Sequence, residues 1–301
     1  MGRVVLVGGV LVLLFIPYLL WGTGLITARH QSALRTEFSQ AQRTAGSTPV
    51  TLPPHPPAGT SGGVPRAARR EADPPLGSPV GTITIPSIGV SMVIVEGTGD
   101  AQLAAGPGHY PNTPLPGEVG NAAIAGHRTT YLHPFYDLNE LVPGDPITIV
   151  TLQGVFLYHV TSSQSVLPSD VSVVDQTLTP TLTLTTCTPR YSASQRLVVH
   201  ARLVASILAG HTKKAPARAG SAGTGGAAPS VATVPSTATR DWTAAILWGV
   251  AVAALITGLW IGARRTRKGQ KVALITGGSL VGLVVVFFFF QAVAPLLPAS
   301  Y

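Results

Sequence analysis

The sequence predicts an all-β domain, a closed barrel or a sandwich, carried on three transmembrane helices. Three observations point there. Residues 79–207 hold at least seven short runs rich in Val, Ile, Leu and Thr, separated by Pro/Gly turn signals. Three other runs, 4–26, 242–263 and 272–292, are apolar and long enough for a bilayer, which takes about 20 residues. Charged residues make up only 11% of the 301 residues, against about 25% in an average soluble domain. Such a composition argues against a purely cytosolic globular protein, and the long apolar blocks exclude disorder throughout.

The elements follow in order. Run 4–26 exceeds the roughly 7–15 apolar residues of a cleaved signal, and no small-residue cleavage motif follows, so it reads as an uncleaved anchor. Pro17 kinks it, which a membrane helix tolerates. Residues 27–78 read as a spacer: a short helix over 31–43, then a Pro/Gly-rich stretch typified by Thr51-Leu52-Pro53-Pro54-His55-Pro56-Pro57. A chain of that composition buries too little apolar surface to fold. The module 79–207 opens with strands at 82–85 and 91–95, then one helical turn at 100–104 capped by Asp100. A small-residue strand at 121–126 leads to a short helix at 135–141 and a Pro143-Gly144-Asp145 turn. Further strands are expected at 147–152, 155–166, 182–186 and 197–204. A second low-complexity spacer, 208–241, precedes a membrane hairpin, 242–293, and a short tail, 294–301. No internal repeat is evident.

Charge sets the orientation. The loop Arg264-Arg265-Thr266-Arg267-Lys268-Gly269-Gln270-Lys271 carries five positive charges and no negative one, which places it in the cytoplasm. Met1 to Arg3 falls inside by the same rule, so residues 27–241 lie outside the cell membrane. The net charge of +8 and pI near 10.1 suggest a nucleic-acid binder until they are divided. The module holds four arginines against eight carboxylates, a net of −4, leaving +12 for the rest of the chain. The basic pI is a topology signal, and no nucleic-acid partner is expected.

One cysteine, Cys187, excludes an internal disulfide framework and a Cys-rich zinc site. It ends the strand-like run Thr181-Leu182-Thr183-Leu184-Thr185-Thr186, where a loop would leave a nucleophile reachable. A free cysteine is more often a small buried hydrophobe. Arg196 shifts that balance, because it opens the next strand nine residues on. If the strands pair, a guanidinium meets the thiol, where it can lower the thiol pKa and hold an oxyanion. A solvated strand-edge charge remains the alternative for Arg196. Thiol chemistry on an amide also needs a group to protonate the leaving amine. His127, directly after the small-residue strand, is the candidate, with His109 and His133 as rivals. His159 and His200 lie within apolar strands and read as structural.

These residues sit in strings that resemble one family. Gly108-His109-Tyr110-Pro111 through Gly120-Asn121-Ala122-Ala123-Ile124-Ala125-Gly126-His127-Arg128-Thr129-Thr130-Tyr131 resembles the histidine segment of sortases. Thr183-Leu184-Thr185-Thr186-Cys187, with Arg196 downstream, resembles their T-L-x-T-C signature, and the longer strings resemble class E enzymes of actinobacteria. The resemblance covers about 79–207 and departs at Thr188, where many relatives carry histidine.

It implies an eight-stranded β-barrel and cysteine transpeptidation without cofactor or metal. Cys187 would attack the Thr–Gly carbonyl of an L-A-x-T-G or L-P-x-T-G sorting-signal peptide, His127 would act as acid and base, and Arg196 would hold the oxyanion. A cell-wall precursor amine, lipid-linked at the membrane, would accept the acyl chain. Tyr110, Thr185, Thr186 and Tyr131 are the implied substrate contacts. The alternatives are a pilin-polymerising sortase and a non-catalytic membrane-tethered β-barrel that binds partners.

Overall fold

The run Thr181–Thr188 shows how this sequence builds its sheet. Leu182 and Leu184 point into a closed core and are fully buried, while Thr183 and Thr185 alternate onto the opposite face. Other strands repeat the pattern, and each isoleucine or leucine so buried contributes about 1.5–3 kcal/mol. In the computed structural model, residues 13–15, 18, 22–45, 67–68, 74–209, 242–265 and 268–293 are described.

Helix α1 (Thr23–Thr44) comes first, then β1 (Pro79–Ile85), β2 (Val90–Glu96), α2 (Asp100–Ala105), β3 (Gly108–His109) and β4 (Asn121–Ala125). The barrel is completed by β5 (Pro146–Thr151), β6 (Gly154–Val166), β7 (Thr181–Thr188) and β8 (Gln195–Leu208). The eight strands close in the order β1-β2-β3-β4-β7-β8-β6-β5, with β5 returning to β1. All joins are antiparallel except β2–β3 and β4–β7. Ile83, Ile124, Ile149, Phe156, Leu184 and Val199 belong to the single cluster that fills it.

Two local expectations change. β3 is only two residues long, too short for any periodicity to announce it. The helix expected over 135–141 is a 3-10 turn, Leu138–Glu140, flanked by i-to-i+3 bonds in a stretch too short to nucleate an α-helix.

The larger correction is α1. It starts at Thr23 rather than at residue 31, and it lies on the barrel, so residues 27–44 are not spacer. Its buried stripe is Thr23, Thr27, Gln31, Leu34 and Phe38, spaced three or four apart along one face. The Gln31 amide acts as a strand neighbour for β2: Nε2 donates to Val93 O at 3.0 Å and Oε1 accepts from Val93 N at 2.7 Å. Nε2 also donates to Ala105 O at 2.9 Å, tying α2 to the same point.

Two C-terminal helices, α3 (Trp242–Arg265) and α4 (Lys268–Val293), coincide with the second and third apolar runs. They pack on one another, with Trp248 and Phe288 stacked at 5.0 Å between ring centroids. Among the described residues no helix is long and apolar enough to cross a membrane. The three expected spans are thus not established by the structure. Most of run 4–26 lies outside the described residues, as do the side chains of 259–260 and 263–280, the spacer from 210 to 241 and the tail.

Candidate active site

Strand pairing assembles the site. In the β7–β8 hairpin Cys187 stands directly opposite Arg196, as Thr185 does Val198. On the other side β7 runs parallel to β4, with Ala125 opposite Thr185. His127 lies two residues beyond Ala125 and Cys187 two beyond Thr185, so the imidazole and thiol emerge at the same level. A cavity of about 150 Å³ is lined by Tyr110, His127, Thr185, Thr186, Cys187 and Arg196, together with Thr98, Leu103, Ala125 and Gly126. Six of the seven residues singled out from sequence therefore share one cavity.

The supporting contacts explain why each side chain stays put. Tyr110 Oη and Thr185 Oγ1 share a hydrogen bond of 3.0 Å across the cavity wall. Thr186 Oγ1 donates to Gly126 O at 2.7 Å, and Gly126 N donates to Thr185 O at 3.0 Å, locking β4's end to β7. Gly126 admits no side chain, since a Cβ there would come within 2.5 Å of the buried Phe135 ring. Arg196 Nη1 donates to Ala193 O at 3.2 Å and Gln195 O at 3.3 Å, anchoring the guanidinium at the hairpin mouth.

Tyr131 departs from expectation. It does not line the cavity; its ring lies 4.9 Å from the His127 ring, on the imidazole's flank. Tyr131, Leu132 and His133 have φ of 53°, 61° and 37°, three consecutive left-handed non-glycine residues. Each such residue costs of order 1–3 kcal/mol and persists only where its surroundings impose it.

The rivals to His127 are placed elsewhere. His109 is fully buried, with Nδ1 at 2.8 Å from Glu96 and Nε2 at 3.0 Å from Pro114 O. His133 is exposed and lies against Tyr136. Sequence reasoning missed Arg128, which is buried despite its charge. It donates from Nη1 to Cys187 O at 3.1 Å and Thr188 Oγ1 at 2.9 Å, and from Nη2 to Asn139 Oδ1 at 2.6 Å. Its nitrogens clamp the backbone of the cysteine itself. Its position beside His127 was the only available signal. Among the described residues, no group of three or more His, Cys, Asp or Glu could hold a metal ion.

Burial governs the resting protonation. It pushes the Cys187 thiol above its ordinary value, against the opposing pull of the Arg196 and Arg128 cations. It pushes His127 down to about 4, with Asp100 acting weakly the other way. Near neutral pH the pair is therefore thiol and neutral imidazole. Iodoacetamide alkylation of Cys187 should keep accelerating through pH 9, because only the thiolate reacts. Arg196→Gln should slow alkylation at each pH below the plateau, since it removes a cation that favours the thiolate. A rate plateau below pH 8 would contradict this assignment.

Comparison with known proteins agrees with the geometry. The Sortase domain family matches residues 83–204, nearly the whole barrel. Sortase SrtE1 of Streptomyces coelicolor is 30% identical over 224 residues, covering 67% of this chain and 56% of that protein. Sortase D of Bacillus subtilis is 33% identical over 135 residues, covering 44% of this chain and 67% of that protein. Sortase SrtE2 of Streptomyces coelicolor is 26% identical over 227 residues, covering 68% of this chain and 81% of that protein. The crystal structure of Sortase E1 from Streptomyces coelicolor with a tripeptide in the active site shares 33% identity. It covers 44% of this chain and 91% of that chain, with a TM-score of 0.42. The chain spans little more than half the length of SrtE1. From its barrel, its T-L-x-T-C strand and these relatives, the chain belongs to the sortase family and, by its likeness to the two SrtE proteins, to class E within it.

Proposed function

We propose that this sortase is a membrane-anchored cysteine transpeptidase. It cleaves an L-A-x-T-G or L-P-x-T-G sorting signal between Thr and Gly and joins the acyl fragment to a cell-wall precursor amine. The observation that carries the reading is the pairing of Cys187 with Arg196 on adjoining strands, with His127 on the same cavity.

In the first step Cys187 Sγ bonds to the threonine carbonyl carbon as the thiol proton passes to His127. The oxyanion that forms is held by the Arg196 guanidinium. The C–N bond then breaks, and the departing glycine amine takes the proton from His127, leaving a thioester on Cys187. In the second step an incoming amine bonds to the same carbon and gives a proton to His127. The thiolate leaves and recovers that proton, so the enzyme returns unchanged. The half-buried cavity limits water at the thioester, which favours amine over hydrolysis.

The membrane part of the reading is supported by hydropathy and by the five positive charges at 264–271. Thr23 and Thr27 are buried against the barrel unit, which shortens the first span to residues 4–22. The catalytic domain then lies outside the cytoplasm.

Purified full-length chain in detergent is to be given a fluorogenic L-A-x-T-G peptide with and without an amine acceptor. Cleavage at Thr–Gly and a new product joined to the acceptor are expected. A product set unchanged by the amine would contradict transpeptidation, and binding without cleavage would favour the tethered module. Comparison of lipid-linked precursor with a pilin lysine as acceptor separates the wall-anchoring from the polymerising reading.

A further inference from the structure

We infer that the first turn of α1 is a positioning element for His127: Thr23 holds the left-handed Tyr131–His133 turn, and that turn holds Tyr131 against the imidazole. The inference deepens the proposed acid–base role of His127 and rests on that reading for its effect on turnover.

The contacts form one chain. Tyr131 N donates to Thr23 Oγ1 at 3.2 Å, the side chain of one helix residue bonding a backbone 108 positions away. One residue on, Gly24 sits so close to Leu132 that an added Cβ would be 3.2 Å from Leu132 Cδ2. Two of the three left-handed residues therefore touch the same turn of α1. The turn is in a conformation that L-residues leave unless held. The Tyr131 ring then lies 4.9 Å from the His127 ring, tilted at an interplanar angle of 31°.

The helix itself is fixed farther along, so it can act as the reference. Thr27 Oγ1 donates to Ala104 O at 2.8 Å, and Gln31 bonds Val93 and Ala105. Thr23 is 1% exposed, so its hydroxyl is no surface feature. The charged and titratable groups around His127 come from several elements. Asp100 belongs to α2, Arg128 follows in the chain, Cys187 and Arg196 line the cavity from β7 and β8, and Tyr131 flanks the ring. Thr23 carries no charge. A change in His127 titration on altering Thr23 therefore reports a change of position or burial.

The test uses the full chain in detergent, with Thr23→Val, Thr23→Ser, Tyr131→Ala and the Val/Ala double variant. Thr23→Val should lower kcat about ten- to hundredfold with KM within twofold, as a misplaced acid–base group does. Tyr131→Ala should do the same, and the double variant should be no worse than either single one, because both break one linkage. Thr23→Ser keeps the oxygen and should retain near-normal turnover.

The second readout is the NMR titration of ¹³Cε1-labelled histidine, with His127 assigned by His127→Gln. Its midpoint should rise towards the ordinary histidine value in Thr23→Val and Tyr131→Ala and stay low in Thr23→Ser. An unmoved midpoint in Thr23→Val, or losses that add in the double variant, would overturn the inference. A wild-type chain that cleaves no signal peptide sinks the transpeptidase reading instead, and the titration still decides the linkage.

Discussion

Cys187→Ala should abolish cleavage of an L-A-x-T-G peptide while leaving the barrel folded. Cys187 is half-buried, and alanine keeps its Cβ, so the substitution removes one sulfur atom from a site already bordered by a cavity. The backbone carbonyl that Arg128 clamps is untouched by the change. Loss of the covalent nucleophile removes the thioester route altogether, a fall of at least about 10³-fold in kcat. Circular dichroism and thermal unfolding should match the parent, and a peptide cleavage assay supplies the rate. Full activity in this variant would remove the thiol from the mechanism.

Arg196→Lys should cost about 10²-fold or more in kcat with a smaller change in KM. Lysine keeps the positive charge but loses the planar fork of donors. Arg196 reaches the cavity while Nη1 stays bonded to Ala193 O and Gln195 O. A lysine ammonium cannot hold those carbonyls and present a second nitrogen in the same plane. The loss therefore falls on the step where negative charge develops. Steady-state kinetics of both substrates separates this from a binding defect, and near-normal turnover would show that the fork is dispensable.

Much of this site could be read from the chain because of one hairpin. Antiparallel strands joined by a short loop place residues opposite one another symmetrically about the turn, so Cys187 and Arg196 were legible from spacing. The alternation in Thr181–Thr188 likewise declares which face is core. The meeting of His127 with Cys187 depends instead on the parallel pairing of β4 with β7, sixty residues apart, and no local pattern encodes that partner. There the family strings supplied what spacing lacked.

Three features stayed hidden for distinct physical reasons. The buried stripe of α1 begins with two threonines and a glutamine, so hydropathy reads it as exposed, although their polar atoms are satisfied by the barrel's backbone. Arg128 is a charge next to the candidate histidine, which ordinarily means a solvated side chain, and only its set of acceptors shows why it is inside. Tyr131 is a substrate contact only by implication of the family resemblance. Its left-handed backbone turns it onto the ring's flank instead of into the cavity.

The docked helix also bears on what the proposed N-terminal anchor could do. α1 is tied to the domain through Thr27 and Gln31, so the chain is docked from the first turn of that helix onward. If the chain is membrane-anchored as proposed, with the first span ending beside Thr23, the reactive thiol would hang from a post, not a leash. Its height above the lipid would then be set by protein geometry. An enzyme so anchored would work as a ruler, favouring secreted chains whose own segment between membrane and sorting signal brings the Thr–Gly bond to that one height.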